Sequence, residues 1–494
     1  MAPQRNEAHI VVPPAGEAPS DPVMSEAALK RIADIVFDLT DGDVDGLQVE
    51  HSARVVTRVA NNRVLTTDNG NDIRLTFRAT SGGRREIRFT TNLVDADMLR
   101  RSLRALRELA NSQFGPPNSF TLHVATPQQK LLPVQLWKET TSAAMTEAST
   151  TAIPQMLTPL KSSGLKGSGF LGYSARAVYA GEPEGHRAYC RETDVECTVS
   201  ARFPDGKASG WYGQANRDWS KIDPKLVAEK AIDMANRSKG PSAVEPGRQT
   251  AVLSPFAVAQ LMAPMAGQFD AFATNEYKIT VFAVSNDPTR DNKIGLRVLD
   301  SRINITSDPL DPEGGYTPFG DWPVDNWAMP THTMSYVEKG VLMDLAHTHD
   351  YSLDRGKPFN QDPWSMRVEA VPNTQLMTEE EMIAQCKRGI YVNRFSYVGM
   401  LDSPSALLSG VTRDGCFLIK DGKINRPVKN FRFIDSPMFA LNRLVAIGKT
   451  QRVPFGYMAH DNGQYYYERW PRRPMIVPPI MVTDFNFSAL SDAV

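Results

Sequence analysis

The sequence predicts an α+β fold: an N-terminal α/β layered part followed by a mostly antiparallel β C-terminal part. Three observations predict it. A few capped segments repeat apolar residues at helical spacing. Other segments alternate apolar with polar residues between Gly- and Pro-bearing turns. Strand and hairpin signals dominate the second half of the chain.

Ser25 suits the N-cap of a helix on which Leu29, Ile32, Ala33, Val36 and Leu39 share a face, before Asp41-Gly42 stops it. A hairpin follows. Ile73, Leu75, Phe77 and Ala79 alternate with Arg74, Thr76 and Arg78, and Ser81-Gly82-Gly83 turns the chain into Ile87-Arg88-Phe89. A second helix carries Leu99, Leu103, Leu106 and Ala110 on one stripe; Arg100, Arg101, Arg104 and Arg107 read as its solvated face. Strands over 195–203 and 208–213 are joined by Pro204-Asp205-Gly206, residues that suit a tight turn. Asp223 then caps a helix with Pro224 at N1 and Leu226, Val227, Ala231, Met234 and Ala235 inward. Two Pro and two Gly interrupt all periodicity over 238–248. The expected organisation is a disordered tail over 1–24, an N-terminal α+β domain over 25–237, a linker over 238–248 and a β-rich domain over 249–494.

Beyond the linker, a short strand at 251–253 runs into Ser254-Pro255, an N-cap and an N1 proline that open a helix expected over 254–269. Thr378 and Glu381 form a capping box for a helix expected to end near Gly389. Asp414-Gly415 and Asp421-Gly422 flank 416–420 as hairpin signals. A last helix starts at Ser436-Pro437, carries Met438, Leu441, Leu444 and Val445, and stops before Gly448.

Composition narrows the function. Of 494 residues, 41% are hydrophobic and 22% charged, as in an ordinary soluble domain pair. Fifty-five Lys and Arg against 56 Asp and Glu leave a formal net charge of -1, so no basic field recruits nucleic acid or an anionic membrane. The four cysteines, Cys190, Cys197, Cys386 and Cys416, contain no C-x-x-C pair and are too sparse for a disulfide framework. With no apolar leader segment and no run of 18 apolar residues, a soluble cytoplasmic protein is expected.

Five segments occur in a fixed order: GIYVNRFSYV from Gly389, TRDGCFLI from Thr412, GKI from Gly422, RPVKN from Arg426, and Ser436-Pro437. Their order and spacing resemble the C-terminal signature of the TldD/PmbA (TldE) peptidase family. VEKGVLMDL from Val337 agrees with it, as does the helix-and-hairpin layout before residue 110, so the resemblance spans roughly 25–490. It implies an α/β N-terminal domain, a largely β C-terminal domain, and pairing into dimers around a cleft. In TldD-like members it also implies zinc hydrolysis of peptides. A helix bearing H-E-x-x-x-H supplies two ligands and a glutamate base, and a cysteine near the C-terminus completes the site. Zinc held by such ligands lowers the pKa of its water to about 7, and the glutamate takes the proton.

The matching segment here is SPFAVAQLMAPMAGQF from Ser254, aligned through Ser254-Pro255 and Gly267. Ala263 stands at the first His, Pro264 at the Glu and Gln268 at the second His, and Met458 falls near the cysteine position. Alanine has no donor atom. Proline has no carboxylate and kinks the helix. Glutamine offers only a neutral oxygen, and methionine is a poor ligand for Zn²⁺. No catalytic residue and no zinc ligand are therefore assigned, and this chain is expected to carry no cofactor.

Other candidate residues have structural roles open to them as well. His347, His349 and Asp350 form the densest group of potential ligands and, with Tyr397, read as cleft-lining residues. Gly167-x-Gly169-x-x-Gly172 has the form of a dinucleotide fingerprint, but no apolar strand precedes it and 173–178 alternates like a strand. Tyr465, Tyr466, Tyr467 and Trp470 read as partner or peptide contacts at an edge hairpin. The expected function is a PmbA/TldE-like, non-catalytic subunit. It pairs with a TldD-like zinc peptidase, or with itself, and shapes the cleft through which an unfolded or precursor peptide reaches the partner's zinc. The alternatives are a stand-alone peptide-binding or assembly protein in peptide maturation, and a hydrolase with a relocated or metal-free site.

Overall fold

The structure, a computed structural model, describes residues 21–40, 44–81, 85–92, 95–112, 128–320, 328–360, 363, 365–454 and 475–491. The N-terminal elements are α1 (Glu26–Thr40), β1 (Gly46–Ala60), β2 (Arg63–Ser81), β3 (Arg85–Thr91), α2 (Ala96–Asn111), α3 (Glu139–Ser162), β4 (Lys166–Gly181), β5 (Arg187–Arg202), β6 (Ser209–Asn216) and α4 (Pro224–Arg237). The strands form one antiparallel sheet in the order β3-β2-β1-β4-β5-β6, with the four helices packed on it. The predicted helical faces are the buried ones: Leu29, Ile32, Ala33 and Val36 on α1, Leu99, Leu103 and Leu106 on α2, and Val227, Ala231 and Ala235 on α4. Burying each Leu, Ile or Val contributes about 1.5–3 kcal/mol. On α2 Arg100, Arg101 and Arg104 are solvated, Arg100 pairing with Asp97 at 2.7 Å, whereas Arg107 is half-buried and pairs with Asp45 at 3.4 Å.

Residues 1–20 of the expected tail lie outside the described residues; Val23 is buried, and the Met24 N–H donates to His51 Nδ1 at 2.8 Å. Several elements exceed the sequence reading: β1 has no counterpart in it, and β2 starts ten residues before the expected alternation at Ile73. β5 begins at Arg187, eight residues before the expected strand, because its N-terminal half pairs with β4. Helix α3, unannounced in the sequence, holds Pro154 and Pro159 internally and has no side-chain cap, so the usual start and stop signals are missing. It forms because Ala152, Ile153, Met156 and Leu160 reach the core. The glycine run 167–172 sits inside β4, where a Cβ on Gly169 would come within 2.0 Å of the Thr198 carbonyl oxygen. Close strand pairing accounts for that glycine.

The C-terminal elements are β7 (Gly247–Leu253), α5 (Pro255–Met262), α6 (Ala271–Asn275), β8 (Ile303–Ser307), β9 (Met334–Glu338), β10 (Val341–Leu342), α7 (His349–Asp354), β11 (Arg367–Ala370), α8 (Glu379–Gln385), β12 (Arg388–Asp402), β13 (Leu407–Lys420), β14 (Lys423–Pro427), β15 (Phe431–Asp435), α9 (Pro437–Asn442), β16 (Leu444–Ile447), β17 (Gln451–Val453), β18 (Met475–Val477) and β19 (Ile480–Leu490). One sheet runs β10-β9-β8-β11-β18-β17. The other runs β12-β7-β19-β15-β13-β14, with β16 on β19 and an additional β12–β13 pairing. That extra pairing closes β12, β7, β19, β15 and β13 into a ring. Phe395, Phe433 and Phe485 are fully buried and pack together, Phe395 lying 4.4 Å from Phe433 and 5.7 Å from Phe485 between ring centroids. Pairing is antiparallel except for β12–β7 and β11–β18, in line with the predicted class.

At four places the local structure departs from the expectation. Asp421-Gly422 makes the expected turn, with φ of 49° and 76°. Asp414-Gly415, with φ of 54° and 128°, is instead part of a bulge inside β13, where register with β12 slips between Val392 and Arg394. The capping box at Thr378 is present, but α8 ends at Gln385, since β12 starts at Arg388. Helix α9 ends at Asn442, and Leu444 pairs with Val482 in β16 rather than extending it. The helix expected over 254–269 stays α-helical only to Met262.

Candidate functional site

The candidate site is built on the segment that leaves β7. Ser254 Oγ accepts the N–H groups of Phe256 at 3.2 Å and Ala257 at 3.3 Å and donates to the Asn393 carbonyl. This caps α5 and ties it to β12. Every residue of α5 is buried, and Gln260 Oε1 accepts the Phe395 N–H at 2.6 Å. Pro264 has no N–H with which to continue the helix, and the backbone tightens to a 3₁₀ helix over Ala263–Phe269.

The two ligand positions and the base position therefore sit on a differently wound segment. Ala263 and Pro264 are half-buried and Gly267 is exposed. Gln268 is buried, and its amide is engaged at both ends: Nε2 donates to Ser403 Oγ at 2.9 Å, and Oε1 accepts the Val281 N–H at 2.8 Å. Its one zinc-capable oxygen is already an acceptor for the backbone. These residues do not fit a zinc ion. Among the described residues no group of three or more His, Cys, Asp or Glu could hold a metal. Met458 lies outside the described residues.

Asp270 follows, caps α6 through the Ala273 N–H at 2.7 Å, and brings in a second strand of chain. The Ala271 N–H donates to the Ala346 carbonyl at 2.8 Å, and the Ala346 N–H to the Phe269 carbonyl at 2.7 Å. His347 is thereby placed beside the 3₁₀ segment. Burial raises the Asp270 carboxyl above the usual range; the N–H groups of Ala273 and Phe272, and then His347, oppose that rise. His347 Nδ1 donates to the Leu345 carbonyl at 2.8 Å, and its ring lies parallel to Tyr351 at 6.0 Å. A carbonyl can only accept, so this bond fixes the proton on Nδ1. Tyr351 in turn donates to Glu276 at 2.9 Å, and Arg355 pairs with the same carboxylate.

His347, His349 and Asp350 are thus together, but each is buried, the last two in the first turn of α7. Tyr397 stands apart, 59% exposed on β12 with φ of 52° and the Arg413 guanidinium 5.9 Å from its ring. Tyr465, Tyr466, Tyr467 and Trp470 lie outside the described residues. Sequence reasoning did not single out Gln260, Asp270 or Ser403. Gln260 and Ser403 have long-range partners, Gln268 to Ser403 spanning 135 positions, and no local spacing announces such a bond, whereas the Asp270 cap on Ala273 is local and was legible in principle.

Residues 246–489 match the family described as the PmbA/TldA metallopeptidase C-terminal domain. A metalloprotease of Methanothermobacter thermautotrophicus is 22% identical over 292 residues, covering 56% of this chain and 60% of that protein. The aligned region thus spans less than two thirds of that relative. Among solved structures, a protein of Bacteroides thetaiotaomicron described as a modulator of DNA gyrase matches with a TM-score of 0.75 at 16% identity, covering 94% of this chain and 100% of the other. TldE of Thermococcus kodakarensis matches with a TM-score of 0.71 at 14% identity, covering 92% and 99%. These structures share the whole fold, and the family match places the signature strands and the altered helix within one domain. Residues 246–489 of the chain belong to the PmbA/TldA metallopeptidase C-terminal domain family.

Proposed function

We propose that this chain is a non-catalytic subunit of a TldD/TldE-type peptidase complex. It works in the cytoplasm and shapes the cleft through which an unfolded or precursor peptide reaches zinc held by a TldD-like partner. One observation carries the reading: the scaffold around the 3₁₀ segment is fully built, while Ala263, Pro264 and Gln268 leave no ligand set. A built scaffold without ligands suits a subunit that presents a cleft surface rather than a catalytic centre.

The test is to purify the chain alone and together with a TldD-like subunit carrying H-E-x-x-x-H. Zinc content and cleavage of an unfolded peptide are then measured. The expected outcome is no stoichiometric zinc and no cleavage alone, with chelator-sensitive cleavage in the mixture beyond that of the partner alone. Chelator-sensitive cleavage by the chain alone would overturn the proposal. Peptide binding without any association with the TldD-like subunit would favour a stand-alone peptide-binding role.

A further inference from the structure

The N-terminal sheet buries one face under its helices, and its other face is charged. On β4 and β5, Tyr173, Ala175, Val195 and Cys197 point into the core, while Arg176, Glu192 and Asp194 alternate with them on the far side. Those three are buried too. Buried charges must be paired, and here the pairs run in a row. Glu50 on β1 pairs with Arg176 at 3.0 Å, Arg176 with Glu192 at 2.9 Å, and Glu192 with Arg217 at 2.9 Å. Asp194 pairs with Arg452 of β17 at 2.6 Å.

The row ends on a short piece of the C-terminal half. Arg217 Nη2 donates to the Gly315 carbonyl at 2.6 Å, and Arg452 Nη1 to the Glu313 carbonyl at 2.6 Å. From the C-terminal half, Ser365 Oγ donates to the Gly314 carbonyl, and Arg367 holds Asp311 through Nε at 2.7 Å and Nη2 at 2.9 Å. The segment has no slack. A Cβ on Gly314 would come within 3.0 Å of Ile476, and one on Gly315 within 2.7 Å of the Asp311 and Pro309 carbonyl oxygens. Both halves of the chain therefore grip residues 311–315.

A second attachment lies elsewhere on the same edge of the sheet, where the Trp211 carbonyl of β6 accepts Asn393 Nδ2 at 3.1 Å. Arg217 comes six positions after Trp211, about 20 Å along an extended chain. A single attachment would let the halves pivot, the ordinary expectation for two domains joined by a linker. Two attachments this far apart do not. We infer that the 311–315 segment locks the N-terminal sheet at a fixed angle to the C-terminal sheets, so that the stretch between α4 and β7 connects the halves without acting as a hinge. Buried ion pairs are weak sources of net stability; what these supply is a defined arrangement. The lock belongs to the chain itself and depends on no partner or metal.

Spin labels at Lys161→Cys on α3 and Lys423→Cys on β14, both exposed positions, read the distance between the halves in the full-length chain; the four native cysteines are buried. The labelled parent should give one narrow distance distribution. Arg217→Gln combined with Arg452→Gln should broaden it or add a second distance. Gly315→Ala should do the same while leaving every charge in place. Gln268→Ala, which removes two hydrogen bonds within the C-terminal half, should keep the parent's distribution and so separates lost orientation from lost stability. A broad or two-component distribution in the parent overturns the inference. So does a parent-like distribution in both junction variants, or equal broadening by Gln268→Ala.

Discussion

Arg394 on β12 and Asp414 on β13 form an ion pair at 2.5 Å with 4% and 2% of their side-chain surfaces exposed, at the bulge where the two strands slip register. The Arg394 guanidinium also lies 4.9 Å from the ring of Trp211 on β6, and Asn393 Nδ2 donates to the Trp211 carbonyl at 3.1 Å. Trp211 packs edge-on against Phe256 of α5 at 5.0 Å. The bulge therefore joins the N-terminal sheet, the closed ring and the altered helix at one buried point.

Removing one partner of this pair strands the other charge. Asp414→Ala should cost about 3–5 kcal/mol, seen as a lower urea midpoint at neutral pH. The Asp414 carboxyl is held below its ordinary value of 3.8: burial pushes it up, and Arg394, Ser209 and Arg413 together outweigh that. A carboxyl depressed in the folded state stabilises fully above 3.8 and loses that contribution as pH falls through its folded value. The variant should show a correspondingly shallower loss of stability below pH 3.8 than the parent. Equal acid sensitivity of the two would contradict the assignment.

Gln268 makes a second, independent prediction. Gln268→Ala leaves the Val281 N–H without its acceptor and Ser403 without its donor, and should cost about 1–3 kcal/mol by chemical denaturation. Gln268→His should also destabilise, because one imidazole cannot replace both bonds, and it should bring no stoichiometric zinc, since Ala263 and Pro264 still offer no ligand. Zinc bound at one equivalent by this single variant would show that donors outside the described residues complete a site.

What the sequence revealed depended on how local each cause was. The caps at Ser254, Asp223 and Thr378 were legible because a side chain bonds an N–H two or three residues on. The loss of the ligand set was legible because it is a matter of residue identity. Asp414-Gly415 and Asp421-Gly422 look alike in sequence, and both aspartates take positive φ, yet one makes a bulge and the other a turn. The difference lies in the pairing of β13 with β12, which no dipeptide encodes. Helix α3 was hidden for a related reason: its stability comes from tertiary burial of Met156 and Leu160, while its own residues include two prolines. Arg394 and Gln268 likewise gain their roles from distant partners.

His186 predicts a pH effect nearer neutrality. It is completely buried, the Gln129 N–H donates to its Nδ1 at 3.1 Å, and its Nε2 donates to the Ala328 carbonyl at 2.6 Å. Burial depresses its pKa below 6.5, opposed in part by the Ala328 carbonyl. The unfolded chain takes up a proton there before the folded chain does, so stability is full above pH 6.5 and falls as pH drops through and below that value. Denaturant midpoints across this range should slope for the parent and flatten for His186→Gln. An unchanged slope would assign the effect to other groups.

Two glycines should respond oppositely to the same substitution. A Cβ on Gly210 would meet the Ala235 nitrogen at 2.2 Å and the Ala231 oxygen at 2.4 Å, both backbone atoms of α4. Helix α4 can lie against β6 only because position 210 lacks a side chain, so Gly210→Ala must push the helix away. The expected cost is about 1–3 kcal/mol, the range for overpacking a filled core. Gly267 sits on the altered segment with no atom within 4 Å of a built Cβ and no positive φ. Gly267→Ala restricts the unfolded chain without a clash and should be stabilising by about 0.4–1 kcal/mol. Thermal or denaturant unfolding of the pair gives the answer directly. A destabilising Gly267→Ala would mean that the exposed face of the 3₁₀ segment needs conformational freedom that the packing around it does not require.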